Sequence, residues 1–428
     1  MEAIWLSSYE SGVPATINPD QYASLNMLFA EAFDKYKDCP AFTNMGQVLS
    51  YAELEEGSRR FAAYLQTELK LVRGDRFAIM LPNLLQYPIV MLGILRAGCT
   101  AVNFNPLYTP DEVQHQLQDS QAVGIIVLEN FAHTVAQVIE STNIKHVIVT
   151  RISDVFSGPK ELLLNFVVKY IKRMVPTWRI KNHLWFKEVM QKAASCTYTD
   201  PKVTGYDVAF LQYTGGTTGR AKGAMLTHRN MVANMQQATA WLSNLLEYKK
   251  EIIITALPLY HIFSLTANCL TFINYGALNV LITNPRDVPG FIKELKKHKF
   301  TAITGVNTLF NMLLNNRDFA NVDFSALKIA LGGGMAVQRI VAEKWQLLTK
   351  KPLIEAYGLT ETSPAVCINP MNLKGYNGSI GLPVSSTDIS VRDDNNNELP
   401  IGEVGELCVR GPQVMLGYWR QEAETRNV

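Results

Sequence analysis

Short apolar runs alternate with helical patterns through most of the 428 residues. The runs Phe77–Met80, Gly124–Leu128, His146–Thr150, Val208–Gln212, Ile252–Ala256, Leu278–Ile282, Phe300–Thr304 and Leu327–Leu331 predict strands. They are continuous rather than alternating in polarity, as strands buried on both faces are, and the helices between them favour largely parallel sheets. The fold class is therefore α/β. One helix start is fully marked, with Thr109 as N-cap, Pro110 at the first helical position and Glu112 three residues after the cap. From about Tyr376 the pattern changes to short strands and turns around the loop Asp393–Asn397, which predicts a small β-rich subdomain. A chain of this length needs two or three packed lobes. The pattern sets them at about 1–200 for a first α/β lobe, 201–375 for a second and 376–428 for the β-rich part.

Composition narrows the class. Hydrophobic residues at 47% and charged residues at 18% fit a soluble globular enzyme with an ample core. A net charge of +2, with no nucleic-acid motif, gives no case for DNA or RNA. The six cysteines are scattered, without metal-ligand spacing, and read as reduced cytosolic thiols. The N-terminus lacks a secretion signal, and the richest apolar stretch, Phe77–Leu95, is interrupted by Pro82, Asn83, Gln86 and Pro88. The expected location is cytoplasmic, peripheral on the inner face of the membrane. Residues 162–187 support the membrane contact. They carry Lys169, Lys172, Arg173, Arg179, Lys181 and Lys187, no acid, and the interleaved aromatics Phe166, Tyr170, Trp178 and Trp185. Either the segment meets an anionic membrane surface, or it is a surface helix whose apolar side packs on the lobe.

The densest chemistry lies in Y-T-G-G-T-T-G-R-A-K-G, Tyr213–Gly223. Gly215, Gly216 and Gly219 let the backbone bring its N–H groups close to an anion. Thr214, Thr217 and Thr218 add hydroxyl donors, and Lys222 a point charge. The spacing is neither that of a Walker A loop nor that of a dinucleotide fingerprint. The apolar run before the loop and a helix-like segment from Thr227 after it predict a strand–loop–helix phosphate site.

This loop closely resembles the phosphate loop of the adenylate-forming enzymes. P-L-Y-H-I-F (Pro258–Phe263), G-G-G-M-A (Gly332–Ala336) and E-A-Y-G-L-T-E (Glu355–Glu361) follow in that family's order. With N-L-L-Q-Y-P at Asn83 and G-P-Q-V-M-L-G-Y-W at Gly411, the whole chain resembles the large N-terminal domain of a bacterial long-chain fatty acid–CoA ligase. The resemblance implies two similar α/β lobes with largely parallel sheets and a distorted β-barrel. It also implies ATP-dependent activation of a long-chain fatty acid to acyl-AMP and then acyl-CoA, with ATP, Mg²⁺ and CoA as partners. A homodimer stays open.

The same resemblance assigns roles. Nucleotide contacts fall to Tyr213, Thr214, Gly215, Gly216, Thr217, Thr218, Gly219, Arg220, Ala221, Lys222, Gly223 and Ala224 in the phosphate loop. Gly332, Gly333 and Gly334 would form an adenine wall, facing Glu355, Ala356, Tyr357, Gly358 and Thr360, with Tyr357 stacking on the base. Glu361 would hold Mg²⁺, and Thr360 a neighbouring phosphate. His261 would position the substrate carboxylate, at the mouth of an apolar tunnel formed by His261, Ile262, Phe263, Leu265, Gly305 and Val306. Family members carry a further mobile C-terminal domain, whose segments do not occur in these 428 residues, so the expectation is a truncated form with weak or no full activity. A non-catalytic nucleotide-binding module and an adenylating enzyme for another carboxylic acid are the alternatives.

Overall fold

The structure is a computed structural model that describes residues 3–156, 158–215 and 220–428. Two compact units emerge, neither of them continuous in sequence.

The first comprises residues 24–228, 258–261 and 416–428. It opens with a hairpin of β1 (Pro40–Asn44) and β2 (Gln47–Ser50). Its main sheet contains β3 (Arg76–Met80), β4 (Thr100–Asn103), β5 (Gly124–Leu128), β6 (His146–Thr150), β7 (Leu184–Trp185), β8 (Val208–Thr214) and β9 (Lys222–Thr227), ordered β7-β6-β5-β3-β4-β8-β9. All neighbours are parallel except β9, which returns antiparallel to β8. The helices Gln86–Arg96 and Pro110–Ser120 cross between strands. Thr109 and Glu112 form the expected capping box, and Ser50 and Glu53 form another. Ala78, Val102, Ile125, Val127 and Leu211 bury one face of the sheet without exposure.

The second unit comprises residues 1–23, 229–257 and 262–415. Its strands are β10 (Ile252–Thr255), β11 (Leu278–Leu281), β12 (Ala302–Gly305), β13 (Ile329–Gly332), β14 (Leu353–Gly358), β15 (Ala365–Ile368) and β16 (Leu382–Pro383). They run in the order β16-β15-β14-β13-β12-β10-β11. The strands from β10 to β14 pair in parallel, and β15 and β16 add antiparallel. Ile254, Val280, Ile303, Phe310, Leu313 and Trp345 form the core beneath this sheet. A separate antiparallel pair joins β17 (Asp388–Arg392) to β18 (Glu406–Arg410).

All eight predicted strands occur, within about two residues at either end. Three expectations change. The lobe boundary at 200 moves to 228, because β8 pairs with β4 and β9 with β8, so the phosphate-loop strands complete the first sheet. Residues 376–428 do not form one β-rich body: β16 joins the second unit's main sheet, β17 and β18 stand as a pair, and 416–428 belong to the first unit. The helix expected from Thr227 occurs as His228–Leu242, but β9 intervenes, so the loop after β8 leads into a strand and not directly into that helix. Strand β4 escaped notice because Thr100 and Asn103 make it look polar. Both are buried and paired: the Thr100 hydroxyl donates to Val208 O at 2.7 Å, and Asn103 Nδ2 to Gln212 Oε1 at 3.1 Å.

Candidate active site

In the first unit, the register Tyr213↔Gly223 and Thr214↔Lys222 brings the two ends of the phosphate loop together. Gly223 and Ala224 are buried, Thr214, Ala221 and Lys222 partly exposed, and Gly215 and Arg220 exposed. Gly216, Thr217, Thr218 and Gly219 lie outside the described residues. Gly223 fits closely, since a Cβ there would sit 3.1 Å from the Tyr213 ring. Tyr213 itself is buried and donates its hydroxyl to Asp119 Oδ2 at 2.5 Å. Burial, with that carboxylate beside it, pushes its phenol pKa far up. Its ring fixes the base of the loop. Lys222 Nζ pairs with Glu424 Oε2 at 2.6 Å and lies 4.7 Å from the centre of the Tyr418 ring.

The segment Pro258–His261 belongs to this unit and is held by polar side chains. Leu259 N donates to Asn83 Oδ1 at 2.8 Å, the Tyr87 hydroxyl donates to Leu259 O at 2.8 Å, and Gln212 Nε2 donates to Tyr260 O at 2.6 Å. Asn83 and Tyr87 come from the N-L-L-Q-Y-P stretch, and Gln212 from β8 beside the phosphate loop. His261 is reached by solvent, yet the protein around it lowers its imidazole pKa by desolvation, so the ring is neutral at pH 7. That suits a hydrogen-bonding positioner better than a charged clamp.

In the second unit, β12, β13 and β14 end side by side, with Gly305 opposite Gly332 and Gly332 opposite Glu355. The loop after β13 is pinned at both ends. Gly333 N donates to Gly305 O at 3.1 Å, Val337 N to Glu355 Oε1 at 3.0 Å and Gln338 N to Asn307 Oδ1 at 2.9 Å. The glycines are needed for close approach. A Cβ on Gly333 would lie 3.1 Å from Ala356 O and 3.2 Å from the Phe263 ring, and Gly334 holds φ +74°. A Cβ on Gly334 would sit 3.5 Å from Val306 Cγ1 and 4.0 Å from Phe263 Cδ1, so the expected adenine wall lies beside two expected tunnel residues. Ile262, Phe263 and Leu265 are buried.

Gly305 has a different neighbour from the open tunnel volume expected. A Cβ there would lie 2.8 Å from Phe310 Cζ and 3.1 Å from Leu309 Cδ2, both in the hydrophobic core. It is a packing position first.

Tyr357 and Glu361 come together at the end of β14 and on the short helical turn Thr360–Thr362. Burial raises the Tyr357 phenol pKa, and the charges of Cys367 and Glu361 add to it. Glu361 is partly exposed, while its backbone is fixed: Met415 N donates to Glu361 O at 2.7 Å. Ser363 beside it is held by Thr266 Oγ1 on its carbonyl and by its own hydroxyl on Gln413 O. Among the described residues no cluster of three or more His, Cys, Asp or Glu is placed to hold a metal alone. A single carboxylate open to solvent suits Mg²⁺, which keeps water and phosphate oxygens as its other ligands.

Sequence reasoning missed Asp119, Gln212, Tyr418 and Glu424. Asp119 and Glu424 sit on ordinary polar helix positions, and no local pattern marks them. Gln212 carried a faint signal as a polar residue at the end of an apolar strand.

An AMP-binding enzyme family model matches residues 29–419, and the chain belongs to that family. A long-chain-fatty-acid–CoA ligase of Yersinia pestis is 57% identical over 428 residues, covering all of this chain and 76% of that relative. One of Bacillus subtilis is 34% identical over 427 residues, covering 99% of this chain and 75% of the relative. Among solved structures, a long-chain-fatty-acid–CoA ligase from Archaeoglobus fulgidus has a TM-score of 0.81 at 24% identity, covering 98% of this chain and 80% of its own. An anthranilate CoA ligase in complex with anthranoyl-AMP has a TM-score of 0.83 at 19% identity, covering 96% and 75%. At these identities the structures establish the fold alone.

Proposed function

We propose that the chain activates long-chain fatty acids. The carboxylate oxygen attacks the α-phosphorus of ATP, forming acyl-AMP and expelling pyrophosphate. The CoA thiol then attacks the acyl carbon, forming acyl-CoA and expelling AMP. A free carboxylate resists thiol attack because its leaving group would be oxide, whereas AMP leaves readily. The observation that carries this reading is the pinned glycine loop packed against both Phe263 and β14, the strand that leads to Glu361. Identity of 57% across the whole chain to a long-chain-fatty-acid–CoA ligase supports the substrate class.

Catalysis of the first step is positioning and charge neutralisation. Lys222 and the backbone of the loop meet the departing phosphates, and neutral His261 orients the carboxylate. Tyr357 stacks on adenine, with Gly332–Gly334 as the opposite wall. Glu361, with Thr360 beside it on a phosphate, would hold Mg²⁺, which when bound neutralises phosphate charge. Phe263, Leu265 and Val306 guide the acyl chain. ATP–pyrophosphate exchange across acids of graded length, with acyl-CoA measured in parallel, tests the reading. Exchange driven as well by aromatic or short acids as by long-chain ones would sink it.

The cytoplasmic location with peripheral membrane contact is part of the same proposal. No helix among the described residues is long and apolar enough to cross a membrane. The helix Pro159–Phe166 and the wide turn Val167–Ile171 instead carry an outward apolar stripe: Leu162, Leu163, Phe166, Tyr170, Ile171 and Met174 are each more than half exposed. Polar contacts tie down the other side. Lys169 Nζ and Arg151 Nε hold the buried Glu129 carboxylate at 2.8 and 3.3 Å, and Lys187 holds Glu161 at 2.6 Å. The alternative in which the apolar side packs on the lobe is therefore disfavoured. Exposed Lys172, Arg173, Arg179 and Lys181 give the charge that anionic lipid headgroups attract. Phe166→Ser with Tyr170→Ser should lower co-sedimentation with phosphatidylglycerol vesicles, and unchanged binding would overturn the contact.

A further inference from the structure

Residues 416–419 run along β9 as an added antiparallel edge. Leu416 N donates to Met225 O, Met225 N to Gly417 O and Trp419 N to Gly223 O, at 2.8–2.9 Å. The Trp419 indole donates to Asp119 O at 3.0 Å, and the Arg76 guanidinium lies over its ring. This edge sets the Tyr418 ring against Lys222. The chain then turns into the helix Glu422–Arg426, and Thr425 Oγ1 accepts from Tyr418 N at 2.9 Å. That bond locks the turn and aims Glu424 back at Lys222, whose ammonium it meets at 2.6 Å.

The ammonium expected to neutralise phosphate charge is thus already neutralised by a carboxylate of the same unit. We propose that Glu424 is a positioning residue for Lys222. It keeps the ammonium parked against Tyr418 in the absence of nucleotide, and polyphosphate must draw the lysine away from it. The inference rests on Lys222 as the phosphate lysine. A polyanion carries several charges and wins such a competition, while a singly charged anion does not. Glu424 therefore sets both the apparent affinity for ATP and the discrimination against small anions. Lifting 416–426 off β9 would release the same lysine.

The test compares Glu424→Gln, Glu424→Ala and Lys222→Ala with the unaltered protein. The readouts are KM and kcat for ATP in ATP–pyrophosphate exchange, and inhibition by inorganic tripolyphosphate. Removing a part-exposed ion pair should lower KM for ATP and the inhibition constant for tripolyphosphate by about two- to fivefold in both Glu424 variants. kcat should move by less than KM. A purely structural role for Glu424 would raise KM or lower kcat together with the melting temperature. KM unchanged or raised in both variants, with Lys222→Ala impaired, overturns the proposal. Lys222→Ala with undiminished exchange overturns it too, by removing Lys222 itself from the reaction. Should Glu424→Ala fold poorly, Glu424→Gln keeps the side chain's length and its hydrogen bonding, and carries the same expectation.

Discussion

The family resemblance assigns nucleotide contacts to the Gly332–Glu361 stretch of one unit and to the Tyr213–Lys222 stretch of the other, yet the two differ in what dominates their hold. The first is fixed by contact. Its glycines approach backbone and rings so closely that a Cβ would fall 2.0 Å from Pro364 O at Gly358 and 2.7 Å from Val337 at Gly332. The described ends of the second are held by charge and hydrogen bonds, with Lys222 between a carboxylate and a ring and Tyr213 on Asp119. A wall that reads a flat base gains from having one rigid shape, because close-packed atoms have no alternative arrangement. A group that follows phosphate charge through bond cleavage needs a partner it can exchange. The contact-built half should therefore fail by unfolding, and the charge-built half by losing rate.

The largest expected effect tests the charge-built half. Lys222→Ala should raise the adenylation barrier by about 2–4 kcal/mol. Its melting temperature should stay close to that of the unaltered protein. A loss of stability matching the loss of rate would erase the comparison, since Lys222 would then be structural.

Gly358→Ala should do the reverse. It costs about 3 kcal/mol of stability, the upper part of the overpacking range, seen as a lowered denaturation midpoint. Unchanged stability would mean that the close packing does not hold this half.

A pH scan sharpens the contrast on the other side. His228, directly after β9, is buried and accepts a hydrogen bond from Leu25 N at its Nδ1. Burial depresses its pKa to about 4, against the ordinary value of 6.5. The unfolded chain binds the proton more readily, so the stabilisation is complete above about pH 6.5 and is lost as pH falls towards 4. The total at stake is about 3 kcal/mol. His228→Gln should flatten that slope in thermal melts between pH 7 and 4. An equal slope in the variant would place the titrating group elsewhere.

The smallest effect concerns the tunnel. Gly305→Ala should cost about 1–3 kcal/mol of stability by displacing Phe310, with the same proportional loss of rate for short and long acids. Val306→Phe, beside Phe263 and Gly334, should shift preference to shorter acids. Preserved stability together with a chain-length shift in Gly305→Ala would restore Gly305 as a tunnel wall.

Much of this was legible in the sequence. Continuous apolar runs marked eight strands because a strand buried on both faces needs no polar alternation. Thr109 and Glu112 marked their cap because a capping box is a local, four-residue event. The motifs Gly332–Gly334 and Glu355–Glu361 were legible through the family resemblance, and the structure shows Gly332 and Gly358 where a Cβ would clash.

Other features needed the tertiary structure. Which sheet the phosphate loop joins was decided by the pairing of β8 with β4, between segments about a hundred residues apart. The exposure of the apolar residues at 162–174 goes with the pairing of Lys169 to the buried Glu129, a contact no periodicity contains. Glu424 meets Lys222 across 202 residues of chain. The sequence by itself determined local conformation and the chemical types present, because those depend on neighbours along the chain. Pairing, facing and charge compensation were left to the folded structure, because they depend on neighbours in space.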